Sequence, residues 1–238
     1  MTGRADRVVW HEAGDEHEWI DASATAVAEG LRAALAVPGN VRLLLSGGST
    51  PAPVYRALAA RTLDWSRVVV GLVDERDVEP DADGSNARLV RESLLRGQAA
   101  SARFEPLRGP GQSLAQAVTS ANARLTDAPI ALCALGMGED GHTASLFPGA
   151  ADLTEALASR EPYAAIDARG CAVAGAYPWR ISLTPAGLAR SQQRVLLIRG
   201  AAKRAVLERA LKDGAASELP IRVAVDLAGE PLHVYWCP

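Results

Sequence analysis

His142 differs from the other three histidines of this 238-residue chain in its surroundings. It lies in Gly136-Met-Gly-Glu-Asp-Gly-His-Thr-Ala-Ser-Leu-Phe-Pro-Gly149, immediately after the apolar run Ile130 to Leu135. An imidazole changes protonation near neutral pH, and in open α/β proteins ligands bind in the crevice beyond the carboxyl ends of the strands. A strand, a glycine-rich turn and a titratable side chain in that order make His142 a candidate general base. Gly136 to Gly141 also satisfies GxGxxG, a dinucleotide-binding fingerprint. Its context is wrong for one, because Pro148 and Gly149 cut short any long crossover helix, so no nicotinamide cofactor is expected.

Three further clusters can carry chemistry. In Leu45-Ser-Gly-Gly-Ser-Thr-Pro51, Gly47 and Gly48 let backbone N–H groups approach an anion, and Ser49 and Thr50 add hydroxyl donors. Pro51 suits the first turn of a following helix. No Gly-Lys-Ser/Thr follows, so this is not a Walker loop, and it is not a GxSxG nucleophile elbow. The same residues also suit a plain tight turn before a capped helix. In Val73-Asp-Glu-Arg76, Asp74 and Arg76 sit where a strand ends, so a carboxylate could orient a base and a guanidinium could hold a phosphate or an oxyanion. Glu79, Asp81 and Asp83 beyond them read as solvated, and Ser85-Asn86 as a helix cap. The last cluster is a pair of cations, Arg180 and Lys203. Lysine occurs only at positions 203 and 212, and Lys203 falls in a first helical turn, where the dipole disfavours a cation unless an anion is near.

The elements that must position these residues alternate. Strands are predicted at Val8 to Trp10, Val41 to Leu45, Val68 to Val73, Ile130 to Leu135, Val195 to Ile198 and Leu232 to Trp236. Helices are predicted over Ile20 to Leu35, Ala52 to Arg61, from Asn86, over Leu114 to Leu125, and over Ala201 to Lys212. Continuous apolar strands separated by helices predict a three-layer α/β/α architecture around a mainly parallel, modified Rossmann-like sheet, in one domain over residues 1–238. Residues 150–181 read either as irregular structure or as an added strand pair.

Composition removes other classes. A formal net charge of -3, with no interleaving of basic and aromatic residues, argues against a nucleic-acid partner. Three scattered cysteines make neither a disulfide framework nor a zinc site. His11-Glu12 and Glu16-His17 lack metal-ligand spacing, and His233 reads as a packed strand residue, so no metal is expected. The N-terminus, Met-Thr-Gly-Arg-Ala-Asp, becomes charged at once, and no apolar run would span a bilayer. A cytoplasmic protein without membrane association is the expectation.

Taken together, Ser46-Gly-Gly-Ser-Thr-Pro51, Asp74-Glu-Arg76 with Ser85-Asn86, Gly136 to Gly149, Arg180-Ile-Ser-Leu-Thr184, and Gly200 with Lys203 resemble the 6-phosphogluconolactonase family. That family lies in a superfamily that includes glucosamine-6-phosphate deaminase. After the histidine, Thr-Ala-Ser-Leu-Phe-Pro-Gly looks like the lactonase branch, whereas deaminases continue with Ile-Ala-Phe-Asn-Glu-Pro. The resemblance implies hydrolysis of 6-phospho-D-glucono-1,5-lactone to 6-phosphogluconate, the second step of the oxidative pentose phosphate pathway. A small phosphorylated sugar lactone would be the substrate, without a required redox cofactor, and functional coupling to glucose-6-phosphate dehydrogenase is a further expectation. His142 would activate water, since a neutral imidazole with a pKa near ~6.5 accepts a proton at physiological pH. Asp74 would orient the imidazole or position substrate, and Asp140 is the weaker choice, shaping the loop. Loop N–H groups or Arg76 would hold the oxyanion; the Gly47-Gly48-Ser49-Thr50 loop, Lys203 and Arg180 would hold phosphate. The alternatives are a deaminase-like isomerase and a non-catalytic sugar-phosphate sensor.

Overall fold

The structure, a computed structural model, describes residues 3–125 and 129–238; Met1 and Thr2, at the head of the N-terminal segment, lie outside that range. The chain runs through β1 (Val8–Glu12), α1 (Glu16–Leu35), β2 (Val41–Leu45), α2 (Ala52–Ala59), β3 (Val68–Leu72), β4 (Asp74–Arg76) and α3 (Asn86–Ser93). It continues through β5 (Arg103–Phe104), α4 (Leu114–Leu125), β6 (Ile130–Leu135), α5 (Leu153–Ala158), β7 (Tyr163–Asp167), β8 (Trp179–Leu183) and α6 (Pro185–Leu188). The last elements are β9 (Ser191–Arg199), α7 (Ala201–Ala210), α8 (Arg222–Asp226) and β10 (Leu232–Cys237).

Among the described residues, seven strands form one sheet in the order β1-β10-β9-β6-β2-β3-β5. Every pairing in it is parallel. β2, β3 and β6 are buried at every position, as their unbroken apolar runs require when helices flank both faces of a sheet. α1 buries Trp19, Ala24, Val27, Ala28 and Leu31 at helical spacing. Its N-cap Asp15 accepts the Glu18 N–H at 2.8 Å, which fixes where the helix begins. The mainly parallel α/β sheet predicted from the sequence is the one observed. The chain runs outward from β2 through β3 to β5, then returns to the other side of β2 with β6, so the topological switch point falls between β2 and β6.

The difficult segment is the added strand pair. β7 and β8 join β4 in a separate antiparallel sheet, ordered β4-β8-β7. Val73 makes the transition: its N–H donates to Leu45 O at 2.9 Å in the main sheet, and its carbonyl accepts from Leu183 N at 2.8 Å in the small one. Periodicity shows one strand here because the apolar run ends only where the second pairing begins. β9 also starts earlier than its apolar run, at Ser191, because Ile130 pairs with it there. The polar stretch Gln192-Gln193-Arg194 hides that start, yet Arg194 is buried, its guanidinium donating to Glu230 O at 2.5 Å and Ser191 O at 3.4 Å.

Candidate active site

The carboxyl ends of β2, β3, β6 and β9 deliver four segments to one cavity of about 260 Å³. Its position beside the β2/β6 switch point is the expected one. Ser46 joins two of these segments: its N–H donates to Ala134 O at 3.0 Å, and its hydroxyl accepts the Gly136 N–H at 3.1 Å. Gly47, Gly48, Ser49 and Thr50 line one wall. No side chain caps α2, whose N-cap position is Pro51, so its first N–H groups have no acceptor from a capping residue. Gly47 is required for a reason the sequence does not show. A Cβ there would collide with the Asn86 carboxamide.

His142 lines the cavity, and its orientation is fixed from behind. Nδ1 lies 2.6 Å from Asp140 Oδ1, which also accepts the His142 backbone N–H at 3.2 Å. A carboxylate can only accept, so the Nδ1 proton faces Asp140 and, in the neutral imidazole, the lone pair lies on Nε2. Burial pushes the Asp140 carboxyl up, but the hydrogen bonds and charge of His142 outweigh it and leave the group below its ordinary value. Gly138 makes room for this pair, since a Cβ on it would strike both the imidazole and Asp140. Phe147 packs against the imidazole at 4.5 Å between ring centroids.

Of the two roles expected for Asp74, orienting the imidazole or positioning substrate, the contact needed for the first is made by Asp140 instead. Asp74 is 7% exposed and lines the cavity. Its Oδ2 accepts the Ser145 hydroxyl at 2.6 Å and its Oδ1 faces Asn86 Nδ2 at 3.4 Å, so it anchors the segment after His142 to β4. Its neighbour Glu75, 1% exposed, accepts the N–H groups of Arg76, Asn86 and Ala87 at 2.8 Å each. Burial pushes the Glu75 carboxyl up. Ser85 caps α3 as predicted, accepting the Arg88 N–H at 3.2 Å.

Arg76 and Arg180 are direct partners across β4 and β8, and both line the cavity. Like charges placed opposite each other on a sheet are unfavourable. Among the described residues, neither guanidinium forms an ion pair: Arg76 donates to Gly84 O, and Arg180 to Tyr177 O at 2.5 Å and Ala174 O at 2.8 Å. Burial draws the Arg180 pKa down, against a raising influence from Asp74 and with a further lowering one from Arg76. Lys203, half-buried in the first turn of α7, also lines the cavity. Burial lowers its pKa, against a raising influence from Glu139 and with a further lowering one from Arg199. Among the described residues none of these three cations forms an ion pair, although Asp74 and Glu139 lie close enough to act on Arg180 and Lys203, and the cavity they line suits an anion.

The model of the family described as Glucosamine-6-phosphate isomerases/6-phosphogluconolactonase matches residues 14–236. The chain belongs to this family. It is 47% identical over 97% of its length to a 6-phosphogluconolactonase of Xylella fastidiosa strain 9a5c, of which it covers 97%. To the protein of that name from Xylella fastidiosa strain Temecula1 it is 49% identical over 94% of its length, covering 93% of the relative. The crystal structure of a 6-phosphogluconolactonase from Shewanella baltica OS155 superimposes with a TM-score of 0.90 at 33% identity, with 97% of this chain and 98% of that one covered.

Four residues inside the sequence motifs have contacts at this site that the sequence reading did not assign. Ser46, Asn86, Ser145 and Phe147 contact Gly136, Asp74, Asp74 and His142 respectively, pairings that only proximity in space shows. Asn86 is 1% exposed and its Nδ2 donates to Asp74 O at 2.8 Å, a role beyond the cap assigned to Ser85-Asn86. The glycine loop after β6 opens no long helix, since the next one, α5, spans only Leu153–Ala158, and the dinucleotide fingerprint lacks its structural context. His11 and His233 lie elsewhere, paired Nε2 to Nδ1 at 3.0 Å across β1 and β10. Among the described residues no group of three or more His, Cys, Asp or Glu is placed to hold a metal, and no helix is long and apolar enough to cross a membrane.

Proposed function

We infer that the protein hydrolyses 6-phospho-D-glucono-1,5-lactone to 6-phosphogluconate. The observation carrying this reading is that an imidazole with a carboxylate behind it shares one cavity with cations that form no ion pair among the described residues. The first supplies a base for water; the second supplies a seat for phosphate. Full-length similarity to proteins named 6-phosphogluconolactonase supports the same substrate.

Nε2 of His142 takes a proton from a water molecule as its oxygen attacks the lactone carbonyl carbon. Asp140 stabilises the imidazolium that forms, as a carboxylate behind a catalytic histidine does. The tetrahedral oxyanion falls to Arg76 or to loop N–H groups, which act without reorganising as charge develops. Collapse breaks the bond from the carbonyl carbon to the ring oxygen. The imidazolium returns its proton to that oxygen, and the new carboxylic acid ionises into solution. Phosphate is assigned to the Gly47-Gly48-Ser49-Thr50 loop with Lys203 and Arg180, and Asp74 keeps the two sides of the cavity in register through Ser145.

Residues 1–238 are proposed to fold as one domain, a reading supported by a single contiguous apolar core. A cytoplasmic location and functional coupling to glucose-6-phosphate dehydrogenase belong to the same proposal; three free cysteines fit a reducing compartment.

The test generates the lactone in situ with glucose-6-phosphate dehydrogenase and records proton release. The protein should accelerate ring opening over the spontaneous rate, and His142→Ala should lose about 10²- to 10⁴-fold in kcat, with KM little changed. A His142→Ala variant turning over near the wild-type rate would falsify the assignment.

A further inference from the structure

The first turn of α7 has neither a side-chain cap, since its N-cap is Gly200, nor an acidic residue. It carries instead the half-buried Lys203, a cation at the positive end of the helix dipole. The turn's first N–H groups have neither an intrahelical partner nor a side-chain acceptor, so it relies on tertiary contacts. Lys203 makes no hydrogen bond or ion pair among the described residues that would hold its own position. Something outside the cavity must do so.

Arg204 supplies that restraint. Its guanidinium carbon lies 5.1 Å from the ring centroid of Trp10 and 4.5 Å from that of Trp236. Nη2 donates to Glu12 Oε1 at 2.9 Å and Nε to Glu208 Oε1 at 2.9 Å. Trp10 and Glu12 belong to β1 and Trp236 to β10, so one side chain ties the helix to the carboxyl ends of both strands. Trp236 adds a second tie, donating from Nε1 to Gly200 O at 3.0 Å, while Gly200 N donates to Cys237 O at 2.8 Å. Successive residues of a helix point about 100° apart, so Arg204 faces the strands while Lys203 lines the cavity.

We propose that Arg204 is a positioning residue for substrate phosphate: clamped between Trp10 and Trp236, it holds the first turn of α7 so that Lys203 stays aimed into the cavity. This rests on Lys203 being a phosphate ligand. Arg204 touches no substrate; it acts only through its neighbour.

The experiment compares 6-phosphogluconolactone with unphosphorylated gluconolactone on the full chain. Lys203→Ala should raise KM for the phosphorylated lactone about 10- to 100-fold, the scale of one charge-assisted hydrogen bond. Arg204→Ala should raise it about 3- to 10-fold with kcat within about 2-fold, leaving kcat/KM for the unphosphorylated lactone unchanged. Arg204→Lys, which keeps a cation between the rings, should recover most of the loss. In a Lys203→Ala background, Arg204→Ala should have no further effect on the preference for phosphate, because coupled residues are not additive. Trp10→Leu opens one side of the clamp and should reproduce the shift should Arg204→Ala fail to fold. The proposal falls if clamp variants lower Tm yet leave the ratio of the two substrates unchanged, or if their effects add to that of Lys203→Ala. If Lys203→Ala itself leaves the ratio unchanged, the phosphate assignment falls with it.

Discussion

Asp140→Asn separates the two carboxylates that the sequence offers to His142. Asp140 Oδ1 stands 2.6 Å from Nδ1, whereas Asp74 is engaged by Ser145 at 2.6 Å. In the proposed mechanism a neutral imidazole becomes a cation beside Asp140, already a carboxylate, so the hydrogen bond gains charge on its donor side in the transition state. A hydrogen bond to a charged group contributes about 1.5–3 kcal/mol, and each 1.36 kcal/mol is about tenfold in rate. Asp140→Asn should therefore lose about 10- to 150-fold in kcat, with KM for the phosphorylated lactone unchanged. Proton release from enzymatically generated lactone measures both constants. Asp74→Asn loosens the loop through Ser145 instead and should alter KM as well as kcat. A kcat for Asp140→Asn within about twofold of wild type would refute the reasoning. So would a loss in kcat for Asp74→Asn at constant KM that exceeded that of Asp140→Asn.

The same carboxyl makes a stability prediction whose sign follows from its lowered pKa. A carboxyl depressed in the folded state stabilises fully above its unfolded value, about 3.9, and that contribution disappears as pH falls through the folded value. The Tm deficit of Asp140→Asn should then be present at pH 7 and shrink in strong acid. Gly47→Ala should cost about 1–3 kcal/mol through overpacking against Asn86, seen as a lower Tm together with a higher KM; an unchanged Tm would show that the loop yields freely. His11, stacked on Tyr235 at 4.4 Å between centroids, has its pKa lowered by burial and then by His233. Its stabilisation is complete above the ordinary histidine value of about 6.5 and is lost below it, as the unfolded chain takes up the proton first. Wild-type Tm should fall from pH 8 to 5 more steeply than that of His11→Phe, and parallel profiles would remove His11 from this role.

Much of this protein is encoded locally and can be read without coordinates. Unbroken apolar runs reveal β2, β3 and β6 because strands buried on both faces admit no polar alternation. The loops at their ends announce themselves through Gly47-Gly48 and Gly136 to Gly141, and a first-turn lysine stands out because the dipole opposes it. From these the sequence alone determines the order along the chain of β1, β2, β3, β6, β9 and β10, the loops at their ends, and His142 as the side chain there that titrates near neutral pH.

Tertiary structure decided how those groups face one another. A linear reading prefers Asp74 to Asp140 as the support of His142, and only the turn geometry that places Asp140 Oδ1 against Nδ1 reverses that order. The opposition of Arg76 and Arg180 depends on the antiparallel register of β4 with β8, in a segment whose strands are short and lack a long apolar run. Gly47 reads as an anion loop but is also demanded by Asn86, and the support of Lys203 comes from β1 and β10, at opposite ends of the chain. Periodicity and turn chemistry act over a few residues, so the sequence exposes them directly. Register and side-chain opposition arise when distant segments pair, and a one-residue slip would send each of these side chains to the other face.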